Sequence, residues 1–298
     1  MSQIRYFTVD VFTTERFGGN QLAVFPDATK IPEKLLQKIA REFNFSETTF
    51  VFPPKNSSND CKVRIFTPGM EVPMAGHPTI GTVYVLLSQG ITKPRNAGFL
   101  MLEENVGDIR VDFIEDKSGF HSITMSQPMP VFGPVENDYK LLAGILSIPS
   151  EEIDLQYPIQ SVSCGNNFLY VPLKGLKTIH KIEIRNELLK VGKLQLDSTE
   201  IFVFTTETVY RTSQYHCRMF APLFGVPEDP ATGSAAGPFG CYLFSNKIRK
   251  DFPVILEQGF EMGRPSILKV DIEGKDQEIT GVKVSGDVVL VSEGKMII

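Results

Sequence analysis

The sequence predicts an α+β protein built as two pseudo-symmetric halves, each a rolled sheet around a central buried helix. Three observations predict it. Short motifs recur in the same order about half a chain apart. Each half contains one segment of helical length that is apolar on every side. Short alternating strands surround each such segment, which is what enclosing a wholly apolar helix requires.

The repeat is read from spacing. Arg64, Phe66, Pro68, Val72 and Pro73 return as Arg218, Phe220, Pro222, Val226 and Pro227 at a common offset of 154. Upstream, Gly19-Asn20 leading to Pro26 parallels Gly165-Asn166 leading to Pro172, at an offset of 146. Each copy then reaches a glycine turn, Ala75-Gly76-His77-Pro78 and Thr232-Gly233-Ser234-Ala235, the second after three additional residues.

Phe7, Val9 and Val11 alternate with polar positions as a strand, as do Leu22 and Val24. Pro32 to Phe43 reads as an amphipathic helix with Leu35, Leu36, Ile39 and Phe43 on one face. Its partner in the second half is expected near Tyr139 to Leu146. A strand carries Val63 and Ile65 into the Phe-x-Pro turn. The wholly apolar segments are Thr79 to Leu87 and Ala235 to Phe244, and Pro238 predicts a bend or a late start in the second. Strands are expected afterwards at Phe99–Leu102, Ile109–Phe113 and Ser122–Met125, and at Val254–Leu256, Leu268–Ile272 and Val288–Val291.

Composition narrows the function. A length of 298 residues suits two modest domains. A net charge of −5 with interspersed signs leaves no basic footprint for nucleic acid or an anionic membrane. No apolar run approaches a spanning helix and the first residues form a strand, so a cytoplasmic protein is expected. Cys61, Cys164, Cys217 and Cys241 are scattered and read as reduced structural thiols. No metal site is expected, because no histidine stands at ligand spacing, and no P-loop or dinucleotide fingerprint is present.

The candidate chemistry gathers near the glycine turns. The first N–H groups of a helix lack partners and its dipole end is positive, so each turn is a seat for a carboxylate. Gly76 and Gly233 let a ligand approach the backbone, and His77 and Ser234 either cap their helices or donate to that ligand. Asp229 precedes the second turn in Pro-Glu-Asp-Pro, where turn chemistry alone is the competing explanation. Glu47 lies between a helix and an apolar strand. Apolar surroundings would raise its pKa toward the range of proton transfer; a solvated loop glutamate is the alternative.

At these residues the chain resembles the PhzF family of phenazine biosynthesis-like proteins. The matching segments are VDVFTTERFGGNQLAVF (Val9 to Phe25), IAREFNFSETTF (Ile39 to Phe50), FTPGMEVPMAGHPTIG (Phe66 to Gly81) and FAPLFGVPEDPATGSA (Phe220 to Ala235). The resemblance implies a diaminopimelate-epimerase-like fold of two domains, expected at 1–122 and 123–298, with the strand near 286–298 packing on the first. It implies a cofactor-independent isomerase of a small, cyclic amino or hydroxy acid bearing a carboxylate, acting as a homodimer with its site in the cleft between halves. Glu47 would shuttle the proton, and His77 and Asp229 would position substrate and assist. Gly76, Gly233 and Ser234 would hold the carboxylate, with Asn20 and Ser46 lining the site. A non-catalytic binding or interaction protein of the same fold is the alternative. Two-thiol racemases of this fold resemble Cys-Gly-Asn and Cys-Gly-Thr at the two turns; here Ala75 and Thr232 stand there, and alanine cannot take a proton.

Overall fold

The computed structural model describes residues 3–117, 119–193, 195–275 and 278–298. The chain forms two compact units, Met1–Ser126 with Val284–Ile298, and Gln127–Lys283. The fold is α+β, and each unit bends its sheet around one central helix.

The first unit runs β1 (Gln3–Val11), β2 (Asn20–Phe25), α1 (Glu33–Phe43), β3 (Glu47–Phe52), β4 (Cys61–Phe66), β5 (Glu71–Val72), α2 (Gly76–Ser88), β6 (Phe99–Glu104), β7 (Gly107–Asp116) and β8 (Gly119–Ser126). β1 and β2 are antiparallel, β3 joins β2 in parallel through the crossover helix α1, and β4 returns antiparallel to β3. β6 then joins β4 in parallel through α2, and β7 and β8 continue antiparallel.

The second unit repeats this order: β9 (Val131–Glu136), α3 (Tyr139–Leu146), β10 (Ile159–Ser163), β11 (Asn167–Pro172), α4 (Leu176–Ile179), α5 (Asn186–Gly192), β12 (Ile201–Thr205), β13 (Tyr215–Ala221), β14 (Val226–Asp229), α6 (Gly233–Ser245), β15 (Val254–Gln258), β16 (Ser266–Lys275) and β17 (Glu278–Gly286). β11 and β12 are parallel, β13 is antiparallel to β12, and β15 is parallel to β13. The closing strand β18 (Val288–Ile297) lies antiparallel to β1, as β9 lies against β10.

Two expectations are corrected. A helix does form at Tyr139–Leu146, but α3 sits between β9 and β10. The crossover from β11 to β12, which corresponds to α1, is made by α4 and α5. Pro238 neither delays nor stops α6, which starts at Gly233. Pro238 has no N–H for Ser234 O, and the carbonyls on either side of it accept from outside the helix, Gly233 O from Gln127 Nε2 at 2.9 Å and Ala235 O from the Tyr170 hydroxyl at 2.8 Å.

The central helices α2 and α6 have the same length, 13 residues, and both are buried almost throughout. Ile80, Val83, Val85 and Leu86 of α2 are fully enclosed, each such side chain stabilising the fold by roughly 1.5–3 kcal/mol. The surroundings differ. α2 meets aliphatic strands, and a Cβ at Gly81 would stand 2.7 Å from Leu22 Cδ2 and 2.8 Å from Val11 Cγ2. α6 sits among aromatic rings, with Phe239 at 4.7 Å from Phe204, 5.2 Å from Tyr215 and 5.3 Å from Phe202 between centroids. The outer faces of the sheets carry separate cores, Phe25, Leu36, Ile39 and Phe50 under α1, and Leu142, Ile179, Leu189 and Val203 among α3, α4 and α5. No helix among the described residues is long and apolar enough to cross a membrane.

Replacing Gly81 by alanine tests the close approach of α2 to the sheet. Alanine improves helix propensity by about 1 kcal/mol, yet overpacking costs about 1–3 kcal/mol. Urea denaturation of Gly81→Ala is expected to show a lower midpoint at unchanged m-value; a raised midpoint would show that the contact is not tight.

Candidate functional site

The repeated arginines shape both turns. Arg64 donates through Nε and Nη2 to Glu71 at 2.8 and 2.6 Å, and Arg218 donates in the same way to Glu228 at 2.7 and 2.8 Å. Each guanidinium thus forks onto a carboxylate of the next strand, β5 or β14. Glu71 and Glu228 are separated by the same number of residues as Gly76 and Gly233, so they are structural counterparts. The agreement of Val72-Pro73 with Val226-Pro227 is therefore a coincidence of spacing. The three additional residues are taken up around the 3₁₀ turn Pro222–Phe224 and Gly225, and Asp229 occupies the place of Val72.

In the first unit three elements present side chains to one another. Asn20 opens β2, Glu47 opens the parallel neighbour β3, and His77 is the second residue of α2. Gly19, in the left-handed region at φ +61, makes this entry possible, because a Cβ there would collide with the Val11 carbonyl. The Thr49 and Thr82 hydroxyls, 2.8 Å apart, tie β3 to α2.

Asn20 Nδ2 donates to His77 Nδ1 at 3.1 Å, which places the ring proton of the neutral tautomer on Nε2. Nε2 stands 3.3 Å from Glu47 Oε2. His77 is buried, and burial pushes its pKa down to about 3, although the Gln21 main chain acts in the opposite sense. The imidazole is therefore neutral across the physiological range, with its Nε2 edge toward the glutamate. Neither α2 nor α6 has a side-chain cap: the N-cap residues Ala75 and Thr232 make no such bond, and the His77 ring turns to Asn20 and Glu47. Gly76 lies at the start of α2, and Ser46 immediately precedes Glu47.

In the second unit Asp229 ends β14 and is buried. The Thr232 hydroxyl donates to Asp229 Oδ2 at 2.6 Å. Gln258, at the end of β15, clasps this turn. Its Nε2 donates to Asp229 O at 2.7 Å and to Thr232 Oγ1 at 3.1 Å, while its Oε1 accepts from Thr232 N at 3.1 Å. Gly233 and Ser234 follow at the start of α6. Sequence reasoning did not find Gln258 or Gln127, because an amide that holds a distant turn carries no local signal.

Glu104 and Glu200 have raised pKa values. Glu104 lies under the start of α2 and accepts from the Thr79 hydroxyl at 2.5 Å; burial raises its pKa to about 8 against that bond. Glu200, just ahead of β12 as Glu47 opens β3, is raised to about 7 by burial. All four cysteines are buried and free, and burial raises the Cys61 thiol to about 12 and places Cys217 well above its ordinary range.

A central helix inside each of two matching curled sheets, with polar residues at the helix starts, defines the class of epimerase-like isomerase folds. Residues 9–294 match the model of the phenazine biosynthesis-like protein family, PhzC-PhzF, and the chain belongs to that family. It is 34% identical to trans-2,3-dihydro-3-hydroxyanthranilate isomerase of Pseudomonas fluorescens, over 98% of this chain and 99% of that one. The crystal structure of a PhzF-family protein of Bacillus anthracis superposes with a TM-score of 0.90 at 28% identity, covering 100% of both chains. A hydroxyproline epimerase of Agrobacterium vitis, 12% identical, shares the fold with a TM-score of 0.64 over 98% of this chain and 92% of that one.

The buried groups set opposing pH dependences. His77 titrates at about 3 when folded and near 6.5 when unfolded, so its contribution is complete above about 6.5 and is lost as the pH falls toward 3, by roughly 1.4 kcal/mol per pH unit. Glu104 acts in reverse: its contribution is complete below its ordinary value of 4.5 and is lost as the pH rises through about 8. Urea denaturation across this range should show a shallower acid limb for His77→Gln and a shallower alkaline limb for Glu104→Gln. Parallel profiles for wild type and variants would contradict the assigned shifts.

Proposed function

We propose that this isomerase moves a proton on a small, carboxylate-bearing cyclic amino or hydroxy acid, with Glu47 as the acid/base group. The observation that carries the reading is the neutral His77, with Nε2 3.3 Å from Glu47 Oε2 and Nδ1 held by Asn20. A ring N–H beside one carboxylate oxygen is placed to hydrogen-bond it and leaves the other oxygen to exchange a proton with substrate. Because the imidazole does not ionise, it steadies the carboxylate without competing for its proton.

Glu47 removes a proton from substrate carbon and returns it to another position, so the bond rearrangement is balanced within one molecule. The uncapped start of α2 at Gly76 and that of α6 at Gly233 and Ser234 offer N–H groups to a carboxylate. Asp229, held by Thr232 and Gln258, is assigned to substrate positioning and assisted protonation, and Asn20 and Ser46 to the lining around Glu47. The isomerase of Pseudomonas fluorescens supports the substrate class, since the molecule in its name is a ring bearing amino, hydroxyl and carboxylate groups. The buried thiols support a carboxylate mechanism over a two-thiol one, because thiols held above their ordinary range are poor bases at neutral pH.

The test is turnover of trans-2,3-dihydro-3-hydroxyanthranilate in deuterium oxide, with cyclic amino acids alongside. Wild type should incorporate solvent deuterium, and Glu47→Gln should lose about 10²–10⁴-fold in rate. Undiminished exchange by Glu47→Gln would remove that residue from the chemistry.

A further inference from the structure

The second unit contains a histidine and carboxylate cluster that the proposed proton transfer does not use. His216 lies on β13, directly opposite Glu257 on the parallel strand β15. Glu261 lies in the turn after β15, and His180 immediately follows α4. Glu261 Oε1 is 3.0 Å from His216 Nε2 and 2.6 Å from His180 Nδ1. One ligand atom from each of His180, His216 and Glu261 falls within 4.8 Å of the others. The three come from distant segments, so spacing along the chain gave no warning of them.

The support around this cluster is built like the outer shell of a metal site. His216 Nδ1 donates to Glu257 Oε1 at 2.7 Å. Glu257 is fully buried and also accepts from the N–H groups of Val209 at 2.6 Å and Tyr210 at 2.9 Å. A carboxylate pinned in this way holds a proton on Nδ1 and presents Nε2 to Glu261, as in the carboxylate–histidine pairs that orient metal ligands. The 3.0 Å contact between Nε2 and Glu261 Oε1 is filled by a ring proton or by a cation in its place. Glu261 is nine-tenths buried, and its Oε2 accepts no hydrogen bond among the described residues, with Arg218 Nε 4.0 Å away. Arg218 is itself forked onto Glu228, so Glu228 and Glu261 share one guanidinium.

We infer that His180, His216 and Glu261 bind a divalent transition-metal ion of the zinc type. Two imidazole nitrogens and one carboxylate oxygen form a borderline donor set that suits Zn²⁺. Three protein ligands leave a fourth position for water, on the side where His180 is half exposed. The ion would replace the proton that otherwise bridges His216 and Glu261, and its effect is structural. β15 carries Glu257 toward the ion and Gln258 toward the Asp229–Thr232 turn, so metal binding braces the strand end that holds Asp229. The inference does not depend on the role of Glu47.

The experiment is Co²⁺ titration of the full chain after removal of metal with a chelator. The expected result is visible absorption of a four- or five-coordinate ion that saturates at one per chain and is abolished by Zn²⁺. His180→Ala alters a half-exposed side chain and should weaken Co²⁺ binding at least about tenfold, with Glu257→Gln weakening it about 10–100-fold. Glu261→Gln should abolish the absorption. Spectra no different from aqueous Co²⁺ would leave an ion-paired cluster without a metal and overturn the proposal. Absorption unchanged in both His180→Ala and Glu261→Gln would overturn it as well, by placing the ion elsewhere.

Discussion

A helix with no polar face can exist in water only if protein encloses it, and the structure of each unit follows from that constraint. α2 and α6 are apolar around their whole circumference, so each sheet must bend until strands cover every side. Enclosure excludes charged side chains along the helix, allows hydroxyls only where they are hydrogen-bonded, as at Thr79 and Thr82, and leaves the rest of the polar chemistry to its ends. It also brings the starts of β2 and β3 to the start of α2, which is how Asn20, Glu47 and His77 come into contact. Low polarity around His77 is a consequence of the same burial that stabilises the fold, and it keeps the imidazole neutral.

Common architecture has been used differently in the two units. The arginine forks and the central helices correspond, yet Asp229 stands where the first unit has Val72, and Ser234 follows the glycine where His77 does in the first. The first unit lines its helix with aliphatic strands and pairs a neutral imidazole with a glutamate. The second lines its helix with aromatic rings and holds its aspartate through Thr232 and Gln258. Matching scaffolds thus carry unequal polar groups, which suits a single carboxylate acting as proton carrier better than two equal bases.

Much of this was legible in the sequence, for identifiable reasons. All-round apolarity marked α2 and α6, period-two alternation marked the strands, and the glycine turns marked the helix starts, because these are local consequences of burial and backbone geometry. The misassigned counterpart of α1 had a physical origin: α4 and α5 are short and lack the long apolar stripe of α1, whereas α3 has one. Pro238 predicted a bend or a late start because its ring removes an N–H from the helix ladder, yet α6 starts at Gly233, one turn and more ahead of it. The forks onto Glu71 and Glu228, the clasp of Gln258 and the His216 cluster are tertiary, and no periodicity encodes them. Glu47 and His77 were found as separate residues, and only the fold shows the distance between them.

The central claim is that His77 remains neutral, with its proton on Nε2 facing Glu47. Long-range proton–nitrogen correlation of the imidazole rings measures this directly, with the His77 signals identified by their loss in His77→Gln. The account predicts a neutral ring with Nδ1 unprotonated and Nε2 protonated from about pH 7 down to about pH 5, where an ordinary imidazole with a pKa of about 6.5 would already be charged. A doubly protonated ring at about pH 6, or a neutral ring with its proton on Nδ1, would contradict it.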